Sequence, residues 1–189
     1  YTDTSYIYNE ELCAAIQWAS DEAIFTGYAD GSFGPYNYIN RAEVLKVLLE
    51  SMVGATLLPL DGTNQGFSDL DPYAWYMPYV RTAKFYGMLA GYPDGEAKLG
   101  NYVNRAEILK LSLEAAESFG DYAIPYTFSS EYADVEDGAW FVQYSNVAYN
   151  YVLFDDYLDG YNWYLSPESY VTRSEMALML YRMSSYGII

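Results

Sequence analysis

The stretch GYADGSFGPYNYINRAEVLKVLLE, Gly27 to Glu50, returns as GYPDGEAKLGNYVNRAEILKLSLE, Gly91 to Glu114, at a constant offset of 64 residues. A third copy, YLDGYNWYLSPESYVTRSEMALMLYR, opens at Tyr157. Its Asp159-Gly160 matches Asp30-Gly31 and Asp94-Gly95, and its loop is three residues longer before Arg173. The repeat extends upstream as well. Phe67-Ser68-Asp69 is echoed by Tyr132-Ala133-Asp134 and more loosely by Tyr1-Thr2-Asp3. Trp75-Tyr76-Met77 is echoed by Trp140-Phe141-Val142, whereas repeat one has Asn9 or Glu11 near the Trp position. A recurrence of this length marks a repeat architecture of units that bury their apolar faces on one another. The units span residues 1–55, 67–119 and 132–186, and the spacers carry the turn formers Pro59, Asp61-Gly62, Gly120-Asp121 and Pro125.

Each unit reads as helix, loop, helix. Tyr79, Val80, Ala83 and Tyr86 follow helical spacing before Gly87 and Gly91 break it. The second helix opens at Asn40, Asn104 or Thr172, followed three residues later by Glu43, Glu107 or Glu175. That is a capping-box pattern: the first side chain accepts one orphan helix N–H and the Glu reaches back to another. Val44, Leu45, Val47 and Leu48, with Ile108, Leu109 and Leu111, supply the apolar stripe behind it. The predicted class is all-α.

Arg41, Arg105 and Arg173 occupy the first helical position of each repeat, and they are three of only five arginines. A cation at a helix N-terminus opposes the helix dipole, so capping does not account for it. Two readings remain. The Arg pairs with a carboxylate from the acidic surplus, or its guanidinium fork, beside free helix N–H groups, grips an anionic ligand.

The run of F-x-D, an aromatic-rich helix, GYADGSF or GYPDG, and INRAE, VNRAE or VTRSE resembles the S-layer homology (SLH) module, three times over nearly the whole chain. The resemblance implies a pseudo-threefold domain around a central three-helix bundle. Its grooves would bind acidic, often pyruvylated, cell-wall glycan, which makes it a non-catalytic anchor for extracellular, cell-surface proteins. By position, the implied ligand-binding residues are Arg41, Arg105 and Arg173, with Asp3, Asp69 and Asp134, the aromatics Trp75 and Trp140, and Gly27 and Gly91, where backbone could approach a sugar. Repeat two holds Asp69, Trp75, Gly91 and NRAE together, so Arg105 is the expected principal arginine. Repeat three has Asp156-Tyr157 in place of Gly-Tyr.

Composition narrows the alternatives. With 26 acidic and 9 basic residues the net charge is −17, a field that repels nucleic acid. There is no His, hence no Ser-His-Asp or Cys-His set, and the chain is expected not to be an enzyme and to need no cofactor or metal. The acidic clusters Asp69/Asp71, Asp134/Glu136/Asp137 and Asp155/Asp156 lack EF-hand spacing and read as solvated loop acids. Cys13, among Leu12, Ala14, Ala15 and Ile16, is expected to be buried. No apolar run suits a membrane span. The chain opens at Tyr1 without a basic or cleavable apolar leader, as expected of a processed product or an excised part of a longer chain. The 24 Tyr, in a chain that is 19% aromatic, suggest a second partner, the protein itself: a self-assembling subunit of a surface layer, tube or filament.

Overall fold

A computed structural model describes residues 1–52 and 56–189. The expected end of repeat one, at residue 55, lies outside the described residues. The chain is helical as anticipated. Repeat one contributes α1 (Glu10–Asp21) and α2 (Arg41–Ser51), repeat two α3 (Met77–Phe85) and α4 (Arg105–Phe119), and repeat three α5 (Val142–Tyr151) and α6 (Arg173–Ser185). The longer loop of repeat three forms a hairpin, β1 (Tyr157–Asp159) and β2 (Asn162–Tyr164), with Leu158 opposite Trp163.

The second helix of every repeat starts at the motif Arg, and all three capping boxes close. Asn40, Asn104 and Thr172 accept from the N–H of Glu43, Glu107 and Glu175, and each Glu accepts from the N–H of its own cap residue. A cap of this kind is worth about 1 kcal/mol. These helices are buried on most of their surface. In α6, Met176, Ala177, Leu178, Met179, Leu180 and Met183 are all inside, the pattern of a helix surrounded by its own protein. The first helices bury a narrower face, Ala15, Ile16 and Ala19 in α1.

The repeats are assembled by exchange. Helix α1 packs on α6, α3 on α2, and α5 on α4, so two of the three pairs join first and second helices from neighbouring repeats and the third joins the two ends of the chain. The strands of chain leading into α2, α4 and α6 complete a closed ring of backbone bonds. Ile39 N–H donates to Val171 O (3.0 Å), Val171 N–H to Val103 O (2.9 Å), and Val103 N–H to Ile39 O (3.2 Å). One apolar cluster runs through all three units, which a lone unit of this size could not supply.

Cys13 departs from expectation. It is exposed, with its thiol donating to Ile7 O at 3.4 Å. The face of α1 that meets α6 is set by Ala15, Ile16 and Ala19, and Cys13 falls outside that face.

Candidate functional site

The motif arginines do not stand beside free helix N–H groups. The N–H of Arg41 donates to Asn101 O, that of Arg105 to Ser169 O and that of Arg173 to Asn37 O, at 2.9–3.0 Å. The next N–H of each helix, from Ala42, Ala106 and Ser174, donates to Leu99, Pro167 and Pro35 O. With the cap taking a third, the first turn of each helix is spent on holding the neighbouring repeat's loop.

The start-of-repeat aspartates are clips of the same kind. Asp3 accepts from Phe33 and Gly34 N–H (2.7 and 2.8 Å), Asp69 from Ala97 and Lys98 (2.9 and 2.8 Å), and Asp134 from Leu165 and Ser166 (2.9 and 2.7 Å). At Asp3, desolvation pushes the carboxyl's pKa up. The two backbone N–H groups outweigh it and hold the group below the ordinary carboxylate value.

Gly27 and Gly91 have φ of +69° and +76°, and a side chain there would run into the rings of Tyr1 and Phe67. Backbone geometry and the packing of the repeat's first aromatic therefore require Gly. In repeat three Asp156 stands at the equivalent place, and Tyr132, the counterpart of Tyr1 and Phe67, donates its hydroxyl to that carboxylate.

The guanidinium groups lie at the junctions of repeats. Arg173 is 6% exposed. Its Nε donates to Phe33 O (2.8 Å), and its guanidinium carbon lies 4.7–5.1 Å from the ring centroids of Phe25, Tyr28 and Phe33. Among the described residues no carboxylate pairs with it. It lines a cleft of about 250 Å³ with Gly27, Tyr28, Glu43, Lys46 and Trp75. Arg41 is similarly buried; its Nε donates to Ala97 O (3.1 Å) and its guanidinium covers Tyr92, with a long contact to Glu107 at 3.5 Å. It lines the matching cleft, about 170 Å³, with Gly91, Tyr92, Glu107, Lys110 and Trp140. Trp75 and Trp140 are more than half exposed, so each offers a ring surface to a ligand.

Arg105 sits in the third junction, which is built differently. It donates to Leu165 O (2.7 Å) and pairs with Glu175 at 2.8 Å, over the ring of Phe154. Glu11 occupies the position of Trp75 and Trp140 in the repeat. Instead of lining a cleft it makes a two-pronged pair with Arg182 (2.9 and 2.7 Å), which also holds Asp155 at 2.8 Å. Glu11 is held below the usual carboxylate range by its hydrogen bond from Arg182, against the opposing effect of burial. Asp156 is pushed up to about 6, by burial first, although Tyr132, Arg105 and Arg182 pull the other way. Arg105 Nε and Asp156 Oδ1 are buried without partners among the described residues.

The expected grouping of Arg105 with Trp75 and Gly91 is therefore not what the fold makes. Gly91 shares a cleft with Arg41 and Trp140, and Trp75 shares one with Arg173 and Gly27. Each site is a composite of different repeats, because the motif Arg reaches across to the following repeat's loop.

Residues 1–45 and 66–108 match the S-layer homology domain. The chain carries S-layer homology domains. It is 30% identical over 138 residues to cell surface glycoprotein 1 of Acetivibrio thermocellus, covering 66% of this chain and 6% of that protein. It is 28% identical over 171 residues to a cellulosome-anchoring protein of the same organism, covering 85% of this chain and 35% of that one. It is also 26% identical over 170 residues to the surface-layer 125 kDa protein of Lysinibacillus sphaericus, covering 89% of this chain and 14% of that one. The SLH chain thus spans about a third or less of each of these relatives. No helix among its described residues is long and apolar enough to cross a membrane.

Sequence reasoning missed Lys46 and Lys110, which line the two open clefts of this SLH chain and pair with Glu50 (2.7 Å) and Glu114 (2.9 Å). The signal was available: a Lys five residues after the motif Arg in repeats one and two, with Leu178 at that place in repeat three. It also missed the Glu11–Arg182–Asp155 cluster, whose members are far apart in sequence.

Proposed function

We propose that the chain is a non-catalytic, extracellular anchoring module that holds an acidic, for example pyruvylated, cell-wall glycan, with the Arg173 cleft as the principal site and the Arg41 cleft as the second. In this reading repeat three is a third SLH unit, and the three second helices form the central bundle of a pseudo-threefold domain; the ring of bonds through Ile39, Val103 and Val171 supports that arrangement. One observation carries the ligand assignment. On a chain of net charge −17, the Arg173 guanidinium is fixed by a carbonyl and three aromatic rings, has no carboxylate partner among the described residues, and opens onto a cleft walled by Trp75. A sugar carboxylate supplies the missing counter-charge in bidentate geometry, and the indole face suits the C–H surface of a pyranose.

The test is calorimetric titration of the folded protein with a pyruvylated hexosamine and its unsubstituted parent. The acidic sugar should bind and the parent should not. Equal binding of both, or of neither, removes the assignment.

A second reading, a self-assembling surface subunit, draws on exposed tyrosines. Tyr38, Tyr102 and Tyr170 meet around the backbone ring at centroid distances of 5.4–5.7 Å, each about half exposed. Light scattering across salt and Ca²⁺ titrations decides it: growth in mass as the negative charge is screened supports assembly, and a monomeric mass throughout removes it.

A further inference from the structure

Trp75 has two sides. Besides walling the Arg173 cleft, it borders a larger cavity of about 570 Å³, lined also by Asn40, Leu70, Tyr76, Gly100 and Asn101. The first turns of α2 divide the two spaces: Asn40 and Ala42 face the cavity, while Glu43, Lys46 and Val47 face the cleft. The indole spans that divide.

Gly100 lines the cavity, and a Cβ added there would meet nothing within 4 Å. Its equivalents in the repeat are Tyr36 and Glu168, and Glu168 reaches across its own junction to accept from Asn104 Nδ2 at 3.3 Å. At Gly100 no side chain makes that bridge.

The chemistry of the lining differs from that of the Arg cleft. Asn40 and Asn101 bring side-chain amides, and Trp75 and Tyr76 bring ring surfaces. The carboxylate of Asp69 is engaged by Ala97 and Lys98 N–H. Glu96 and Lys98 also line the space, and the Lys98 ammonium is already paired with Asp94 at 2.5 Å and with Glu96 at 3.7 Å. Such a space offers hydrogen-bonding groups and aromatic faces but no free cation, and its carboxylates disfavour an anion. Its volume lies in the range of small-ligand sites.

We propose that this cavity is a second saccharide subsite, for an uncharged pyranose adjoining the acidic unit in the Arg173 cleft, so that the chain reads two consecutive sugars across Trp75. The inference rests on the acidic-glycan reading above.

The test uses Gly100→Glu, which copies repeat three. Gly100 is not in the left-handed region, and an added Cβ meets nothing within 4 Å, so the fold tolerates it; a thermal melt checks this. Two probes are titrated: a pyruvylated hexosamine monosaccharide, and a wall oligosaccharide that carries the same unit followed by neutral sugars. The unmodified protein should prefer the oligosaccharide by about tenfold or more, the worth of a stacked face and one or two hydrogen bonds. Gly100→Glu should bind the monosaccharide unchanged and lose that preference. Equal affinity of the unmodified protein for both probes, or a preference kept by Gly100→Glu, overturns the subsite. Arg173→Ala, titrated alongside, separates the two readings: if it binds both probes normally the acidic-site reading fails, whereas the subsite is judged by Gly100→Glu. A third titration, with N-acetylglucosamine trimer, follows the Trp75 indole N–H signal. A shift that Gly100→Glu abolishes supports the subsite, and no shift overturns it.

Discussion

The Arg173 and Arg105 junctions are built from the same motif and are surrounded by opposite kinds of residue. At Arg173 the flanking positions are Gly27 and Trp75, and the guanidinium keeps its ends open to a cleft. At Arg105 the corresponding positions are Asp156 and Glu11, the guanidinium is bound to Glu175, and Arg182 ties Glu11 and Asp155 across the junction. In the proposed reading, two departures from the repeat pattern, Gly to Asp in repeat three and Trp to Glu in repeat one, turn a place for a ligand's charge into a place where the protein's own charges neutralise one another. Because Glu11 comes from α1 and Arg182 from α6, that junction is also where the two ends of the chain are joined.

The sharpest way to break this contrast is to remove each arginine in turn. Arg173→Ala should weaken binding of a pyruvylated glycan by about 2–5 kcal/mol, the cost of deleting one partner of a desolvated charge pair, and Lys should restore it only partly because it lacks the planar fork. Arg105→Ala should leave that affinity unchanged and lower the melting temperature instead. Titration and melting on the same samples read both effects. The contrast collapses if Arg105→Ala binds as poorly as Arg173→Ala while folded.

Next in size is the chain-closing cluster. Arg182→Ala removes hydrogen bonds to Glu11, Asp155 and the Val152 carbonyl. The expected loss is about 2–3 kcal/mol, below the 3–5 kcal/mol of a fully buried pair because Glu11 and Asp155 can rehydrate. Denaturant unfolding measures it. A loss under about 0.5 kcal/mol, the scale of an ordinary surface pair, would show that the ends are held by packing alone.

Asp156 gives the same junction a signature in pH. Its carboxyl titrates near 6 in the folded chain, against an ordinary value of 3.8. The folded state therefore keeps a proton that the unfolded state has lost between about pH 4 and 6. Raising pH through that window takes stability away, and above it the loss is constant. Asp156→Asn keeps an acceptor for Tyr132 and removes the titration. The variant should gain on the unmodified protein as pH rises from 4 to 6, by about 1–2 kcal/mol once partial solvent exposure is allowed for. Parallel stability curves for the two proteins across that range would contradict the assignment.

How much of this was legible in the sequence follows from what each feature depends on. The second helices start where Asn40, Asn104 and Thr172 cap them, and that is local chemistry, visible in four residues. The partners of the motif arginines are not local. Arg41, Arg105 and Arg173 are equivalent in the repeat, and nothing in a 64-residue offset says whether Arg105 faces the Trp of its own unit or that of another. Exchange of helices between units decides it. The clips made by Asp3, Asp69 and Asp134 are not legible either, because their partners are backbone N–H groups about 30 residues away, which carry no side-chain signature. Cys13 was misplaced because an apolar neighbourhood in sequence, Leu12 to Ile16, does not say which side of α1 meets α6.

The smallest effects test whether the scaffold is as uniform as the clefts are unlike. Asn40, Asn104 and Thr172 make the same reciprocal cap, with side chain–to–N–H distances of 3.0, 2.9 and 3.2 Å. Each Glu returns a bond of 2.8–3.1 Å to the cap residue's N–H. Below the cap, each helix gives its next two N–H groups to a neighbouring loop. Geometry this similar predicts similar costs: Asn40→Ala, Asn104→Ala and Thr172→Ala should each lose about 1 kcal/mol, or roughly 2–4 °C in a chain of this length, without changing affinity for a pyruvylated monosaccharide. Asn104 also donates to the exposed Glu168, and the Thr172 hydroxyl also meets the Ser174 hydroxyl at 3.2 Å; side contacts of that kind add about a few tenths of a kcal/mol. Equal losses would mean that the difference between the Arg173 and Arg105 junctions lives in the residues that face them, and that the helix starts are a common frame. A much larger loss at Thr172 would instead mean that α6, which meets α1 and closes the chain, carries more of the fold than its equivalents. The junction at Arg105 would then owe its ion pairs to that mechanical role.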